Sequence, residues 1–212
     1  MSSKYDGNDS RASSGAIGMS SDIIAIAGLN LALSYENAAI DRLEKRLSES
    51  IMPELKDRLR HHLEQTKDQQ ERLRERILAL AGRKGGMEPT NEKGRLPVPE
   101  PPKQLKMLIE SASSDREKEV WESLNDLIIE RAEAIMYKGG IQALQLLKVD
   151  KKTIKALERN LKEEESFGNW LEKNNPRIAK RLMTMHMEEK KKYGKKKKVT
   201  KEKEEVALTA ST

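Results

Sequence analysis

From Pro53 to Ala81 the chain reads PELKDRLRHHLEQTKDQQERLRERILALA, and at helical spacing one face runs Leu55, Leu59, His62, Thr66, Gln69, Leu73, Ile77, Leu80. Steps of four and three residues return to the same side of an α-helix, so the spacing predicts a helix with this stripe turned inward. The stripe is apolar at both ends and polar in the middle, where His62, Thr66 and Gln69 occupy successive turns. Removing such groups from water costs about 2–7 kcal/mol each when nothing bonds them. The fold must therefore supply partners at mid-height: other side chains, buried water or a metal ion.

The same pattern recurs along the chain. From a cap at Ser20, Ser21 or Asp22, a first helix is expected to reach about Ile51, with the stripe Leu29, Leu33, Glu36, Ile40, Leu43, Leu47. Pro53 suits the first turn of helix 2, and so short a connection makes the two helices an antiparallel hairpin. Helix 3 starts near Ser114–Asp115 and continues to about Lys138. Its inward face reads either as Trp121, Leu124, Ile128, Arg131, Ile135 or as Val120, Leu127, Glu130, Ala134, Tyr137. Gly139–Gly140 predicts a break or bend before Ile141–Leu147. Asp150 caps helix 4, whose stripe is Ile154, Leu157, Leu161, Glu164, Gly168, Leu171. Asn175-Pro176 then predicts a separate fifth amphipathic piece carrying Ile178, Leu182 and Met185.

Between Gly82 and Lys103 lie four glycines and five prolines, a density of breakers that no helix survives. So long an irregular stretch is uncommon inside a compact domain. A long crossover in a helical bundle explains it, with a short helix at Gln104–Ser111 lying within the connection. The expected fold class is all-α: a four-helix bundle over residues 21–174, crossed over at 82–103 between helices 2 and 3, with an extra C-terminal helix at 175–189. Residues 1–20 and 190–212 are expected to be disordered tails.

Composition narrows the function classes. Charged residues make up 36% of the chain and aromatics 3%, which suits long amphipathic helices and argues against a β-sandwich or α/β sheet. There is no cysteine, which removes disulfides, iron–sulfur clusters and thiol catalysis. The most apolar run, Ile23–Leu33, is eleven residues long and contains Asn30, short of the roughly 20 needed to cross a bilayer. It follows a Ser/Gly-rich rather than a compact basic segment, so a signal peptide is not expected and the location expected is the cytoplasm. Gly82–Gly86 lacks the spacing of a phosphate loop. Three histidines, two of them adjacent, leave no legible Ser/His/Asp set. Met183, Met185 and Met187 around His186 point in different directions on a helix and do not make a soft-metal site.

The segment from Lys190 onward holds nine lysines and three glutamates, which accounts for the whole net charge of +6. Lys190, Lys191, Lys192, Lys195, Lys196, Lys197 and Lys198 are candidates for salt-sensitive, sequence-blind contact with DNA or RNA. An anionic membrane surface is the weaker alternative.

Each of the four long helices places an ionisable residue near mid-stripe: Glu36, His62, Glu130 with Glu133 one turn on, and Glu164. Carboxylates with an imidazole suit iron or manganese, and such ions cancel the repulsion among buried carboxylates. The alternative is internal satisfaction, with Arg131 neutralising a carboxylate and His62 bonded to Glu36 or Thr66.

The run HLEQTKDQQERLRERILALAG, His62–Gly82, resembles the helix-2 signature of the YciF-like family of ferritin-like proteins. LSYENAAIDRLEKRL (Leu33–Leu47) is similar to the family's first helix, LKMLIES (Leu105–Ser111) to its crossover segment, AEAIMYKGGIQAL (Ala132–Leu144) to its third helix and LKEEESFGNWL (Leu161–Leu171) to its acidic fourth helix. The resemblance implies a ferritin-like four-helix bundle, often dimeric, associated with stress responses and carrying a di-metal (di-iron) centre. Its ligands here would be Glu36, His62, Glu130, Glu133 and Glu164. Gln65 stands where the family usually has Glu, and Gln69 where it can have a second His. Leu59 and Phe167 break the Glu-x-x-His motifs general to ferritin-like centres. Two functions follow as expectations: metal or oxidant handling at an iron or manganese centre, or a non-catalytic bundle with a degenerate centre that binds nucleic acid through its lysines.

Overall fold

The computed structural model describes residues 21–82, 97 and 99–209, with side chains as far as Lys192. Among them are five helices: α1 (Ser21–Glu49), α2 (Pro53–Ala81), α3 (Lys103–Glu110), α4 (Asp115–Leu146) and α5 (Lys151–Thr209). The expected N-terminal tail, the Ser20 cap, most of the Gly/Pro-rich crossover and residues 210–212 lie outside the described residues.

Local chemistry sets the helix ends. Pro53 opens α2, where its missing N–H has no helical partner to lose. Ser114 caps α4 by accepting from the Glu117 N–H, and Asp150 caps α5 by accepting from the Lys152 and Thr153 N–H groups. The α4–α5 turn closes with Val149 N–H donating to Leu144 O and Lys148 N–H to Gln145 O. That pair of bonds needs a left-handed residue between the helices, and Lys148 supplies it at φ 55°.

Two apolar clusters fill the bundle. At one end Ile26, Leu29 and Leu33 of α1 meet Leu73, Ile77 and Leu80 of α2, Ile141 and Leu144 of α4, and Leu157 of α5. At the other, Leu43 packs with Leu55, Leu59, Phe167, Leu171, Ile178 and Leu182. All eight positions of the α2 stripe are buried. The polar middle of that stripe falls between the clusters, so the core is apolar, polar, then apolar along its length. For α4 the second sequence reading is the inward one: Glu130, Ala134 and Tyr137 are buried, whereas Leu124, Ile128 and Ile135 are exposed. Among the described helices α1 lies along α2 and α4 along α5, and a groove of about 320 Å³ separates α1 from α4 near Gly28, Ala32, Gly140 and Ala143.

Three expectations are corrected. α4 runs without a break through Gly139 and Gly140 to Leu146. Two glycines cost a helix about 1 kcal/mol each relative to alanine, less than thirty flanking residues of packed helix supply. α5 likewise continues through Pro176, so the C-terminal piece prolongs helix 4 instead of starting afresh, and its backbone stays helical to Thr209. Asn175 donates its side-chain N–H to the Ser123 carbonyl of α4, and Ile178 and Leu182 are buried beyond it, which holds the helix across the proline. Finally, α1 is long and apolar enough to pass for a membrane span by length and composition, with a window of mean hydropathy 1.4. Beyond Leu33, Ala38, Ala39 and Ile40 offset the polar residues. Half of that window is buried within the bundle.

Candidate metal centre

The polar layer gathers the mid-stripe residues of all four long helices. Glu36 from α1, His62 and Gln69 from α2, Glu130 and Glu133 from α4, and Glu164 from α5 are all buried. His62 Nε2 lies 2.9 Å from Glu130 Oε2 and 3.5 Å from Glu164 Oε2. One ligand atom from each of these three residues falls within 4.8 Å of the others, so this buried His/Glu/Glu cluster can hold a metal ion. Glu36 and Glu133 sit in the same layer, both close enough to feel Glu130 and Glu164, and Glu36 adds to the rise of Glu133.

Each inner carboxylate is held from behind. Glu130 Oε1 accepts from Arg42 Nη2 at 2.7 Å. Glu164 Oε1 accepts from Gln69 Nε2 at 2.6 Å. Glu36 Oε1 accepts from the Tyr137 hydroxyl, which in turn accepts from Asn160 Nδ2 at 3.0 Å. The other oxygens of Glu130 and Glu164 are buried and make no well-formed hydrogen bond, although both face His62 Nε2. Leaving such atoms unsatisfied costs about 1–3 kcal/mol each, more when charged. A cation among them is the arrangement their geometry fits. His62 is packed against Phe167, ring centroids 4.4 Å apart, and its Nδ1 has no hydrogen-bond partner.

Charge accounts for the protonation of the layer. Burial first, then the neighbouring carboxylates, pushes Glu36 and Glu133 well above the usual carboxylate range. Burial and Glu130 also raise Glu164, with His62 acting the other way. Burial alone would raise Glu130, but His62 and Arg42 outweigh it and bring its pKa down to about 2. Burial would lower His62, and the attraction of Glu130 and Glu164 more than reverses that. The layer thus holds more carboxylate than its own bases can match, the condition under which protons or a metal ion are taken up.

A ladder of ion pairs continues from the centre toward the α1–α2 turn. Arg42 Nη1 lies 3.1 Å from Asp126 Oδ1, and Arg46 Nε 2.9 Å from Asp126 Oδ2. Arg46 Nη2 reaches Glu119 Oε1 at 2.9 Å, and Glu119 Oε2 accepts the Ile51 N–H at 2.6 Å. None of Arg42, Arg46, Asp126 or Glu119 stands out in the sequence, because i, i+4 charges on a helix read as a solvated face. The available signal was their complementarity: two arginines one turn apart on α1 facing acids at matching spacing on α4. Arg131, the expected neutraliser, lies instead at the surface with Glu172 and Asn169. Thr66 does not bond the His62 ring; its hydroxyl donates to the His62 carbonyl at 3.0 Å. Of the lysine candidates, Lys190, Lys191 and Lys192 are exposed. Lys195, Lys196, Lys197 and Lys198 lie outside the residues whose side chains are described.

Residues 24–93, which span most of α1 and all of α2, match a family model described as "Domain of unknown function (DUF892)". No curated protein matches the chain. The structure is similar to that of YcfI from Rhodopseudomonas palustris, with a TM-score of 0.59 and 20% identity over 73% of this chain and 94% of that one. At that identity the likeness concerns architecture, and the architecture it shares with this chain is an all-helical bundle.

Proposed function

We propose that this protein is a ferritin-like bundle of YciF-like type that binds iron or manganese in its polar layer and acts in metal or oxidant handling during stress. The observation that carries this reading is the buried cluster of His62, Glu130 and Glu164, in which one ligand atom from each residue lies within 4.8 Å of the others. The match of residues 24–93 and the likeness to YcfI support the bundle.

His62, Glu130 and Glu164 are the nearest ligands, with Glu36 and Glu133 completing the carboxylate layer. Two or more carboxylate oxygens with one imidazole favour iron or manganese over zinc or copper. A bound iron or manganese ion supplies redox chemistry toward dioxygen or peroxide. The chain's own residues fix its surroundings: Arg42, Gln69 and Tyr137 orient the carboxylates, and the two apolar clusters keep bulk water from the layer. Metal analysis of the purified protein after anaerobic loading tests the reading, with Glu36→Ala and Glu164→Ala beside the wild type. Stoichiometric metal that the variants lose is expected; a wild type that takes up none sinks it.

A second surface carries a reading of its own. Leu124, Ile128 and Ile135 form an exposed apolar stripe on α4, and Ile135 is 69% exposed. This supports a homodimer assembled through α4, since among the described residues that stripe is left exposed. The exposed Lys190–Lys192 at the far part of α5 leave nucleic acid as a further partner. Deleting residues 190–212 tests it: an affinity for DNA that stays unchanged and salt-insensitive removes the lysines from the reading.

A further inference from the structure

We propose that the Arg42 guanidinium stands in the position of a second metal ion, so that this centre takes one ion per chain and excludes the second. The inference rests on the metal-binding reading above and concerns how many ions that site admits.

In a two-metal carboxylate centre a bridging carboxylate gives one oxygen to each ion. Glu130 has that disposition here: Oε2 faces His62 Nε2 at 2.9 Å, and Oε1 is bonded to Arg42 Nη2 at 2.7 Å. The second oxygen is therefore already given to a cation, and that cation is part of the chain. The same nitrogen lies 3.9 Å from Glu133 Oε2, the carboxylate one turn farther along α4. The other arm of the guanidinium is fixed to Asp126, which is itself tied to Arg46, so Arg42 is locked on its outer side as well. Arg42 and the carboxylates around it are buried, and swinging the guanidinium out breaks three ion pairs. A guanidinium stays charged at every accessible pH, so it remains a cation beside Glu130 whatever the state of the layer.

The remaining ligands fit one ion. Glu164 offers Oε2 inward while Gln69 holds Oε1. Gln69 presents its N–H to that carboxylate, and a donor hydrogen pointing into the layer is not a ligand for a cation. Arg42 is thus a positioning residue: it aims Glu130 and it fills the second place.

Anaerobic titration with Mn2+, followed by metal counting and electron paramagnetic resonance, tests the count. One equivalent per chain with the hyperfine pattern of an isolated Mn2+ is expected. Two equivalents, or a spin-coupled spectrum, overturn the inference while leaving the metal-binding reading intact; no uptake overturns both. Arg42→Gln is expected to admit a second equivalent, and a folded variant that still stops at one shows that Arg42 is not what excludes it. Should that variant fail to fold, Glu133→Gln decides: it is expected to keep one equivalent, and loss of the bound ion puts Glu133 among its ligands and overturns the assignment.

Discussion

Arg42 and Glu130 are joined through a 2.7 Å ion pair although 88 residues separate them, and both are buried. The bond is one of several that tie α1 to α4, beside those of Arg42 and Arg46 to Asp126 and of Tyr137 to Glu36. Removing one partner of a buried pair leaves the other charged and unmatched, which costs about 3–5 kcal/mol. Arg42→Ala is expected to lose that much in urea unfolding of the metal-free protein. A loss under about 1 kcal/mol, the scale of an exposed pair, contradicts the geometry.

His62 supplies the one nitrogen of the centre. His62→Ala is expected to abolish the thermal stabilisation that Mn2+ or Fe2+ gives the wild type. At a metal concentration a hundredfold above the dissociation constant, that stabilisation is about 2.7 kcal/mol. Differential scanning calorimetry with and without metal reads it directly. An equal shift in wild type and variant removes His62 from the ligand set.

Acid and base act oppositely on the layer. Glu36, Glu133 and Glu164 have folded values above their unfolded ones, so their contribution is fully present below about pH 4.3 and is lost as pH rises toward the folded values. His62, also raised, contributes fully below about pH 6.5 and loses that contribution above its folded value. Glu130 is the reverse: depressed to about 2, it contributes above the unfolded carboxylate value and loses that contribution as pH falls through about 2. The metal-free bundle is therefore expected to be most stable in mildly acidic solution and to weaken from pH 5 to pH 8. Bound metal displaces those protons and is expected to shift the optimum upward. Urea midpoints at the two pH values check this; a metal-free midpoint that rises toward pH 8 contradicts it.

Lys148 occupies the left-handed position of the α4–α5 turn at φ 55°. An L-residue there pays about 1–2 kcal/mol that glycine does not. Lys148→Gly is expected to raise stability by about 1 kcal/mol, less the extra freedom glycine gives the unfolded chain. A variant less stable than wild type indicates that the lysine side chain contributes more than its backbone costs.

Ile135 stands 69% exposed at the C-terminal end of the apolar α4 stripe. If that stripe joins two copies, Ile135→Glu is expected to give a monomer in light scattering with helical content unchanged. A wild type that is itself monomeric at high concentration removes the stripe from the interface.

The helices were legible because their stripes are long and regular, and the α2 stripe is buried at every position that its spacing marks. So was the presence of an ionisable residue on each long helix at one level. The choice between the two α4 faces was not, because both are apolar and only the packing of the bundle, including the α1 partners of Glu130 and Tyr137, separates them. The continuity through Gly139–Gly140 and Pro176 was not legible either: local propensity opposes it, and tertiary contacts such as Asn175 with Ser123 overrule propensity. The arginine ladder was hidden for a different reason. A buried Arg46 and an exposed Arg131 are the same letter in a sequence, and only the acids brought opposite them distinguish the two.

That ladder ends at the Ile51 N–H, a single amide in the turn between α1 and α2, received by Glu119 Oε2. From it a chain of charged hydrogen bonds leads through Arg46, Asp126 and Arg42 to Glu130, whose other oxygen faces His62 at 2.9 Å. The exchange lifetime of one turn amide in heavy water thereby becomes a gauge of events deep in the molecule, placed by the fold at a position where solvent and spectrometer can reach it.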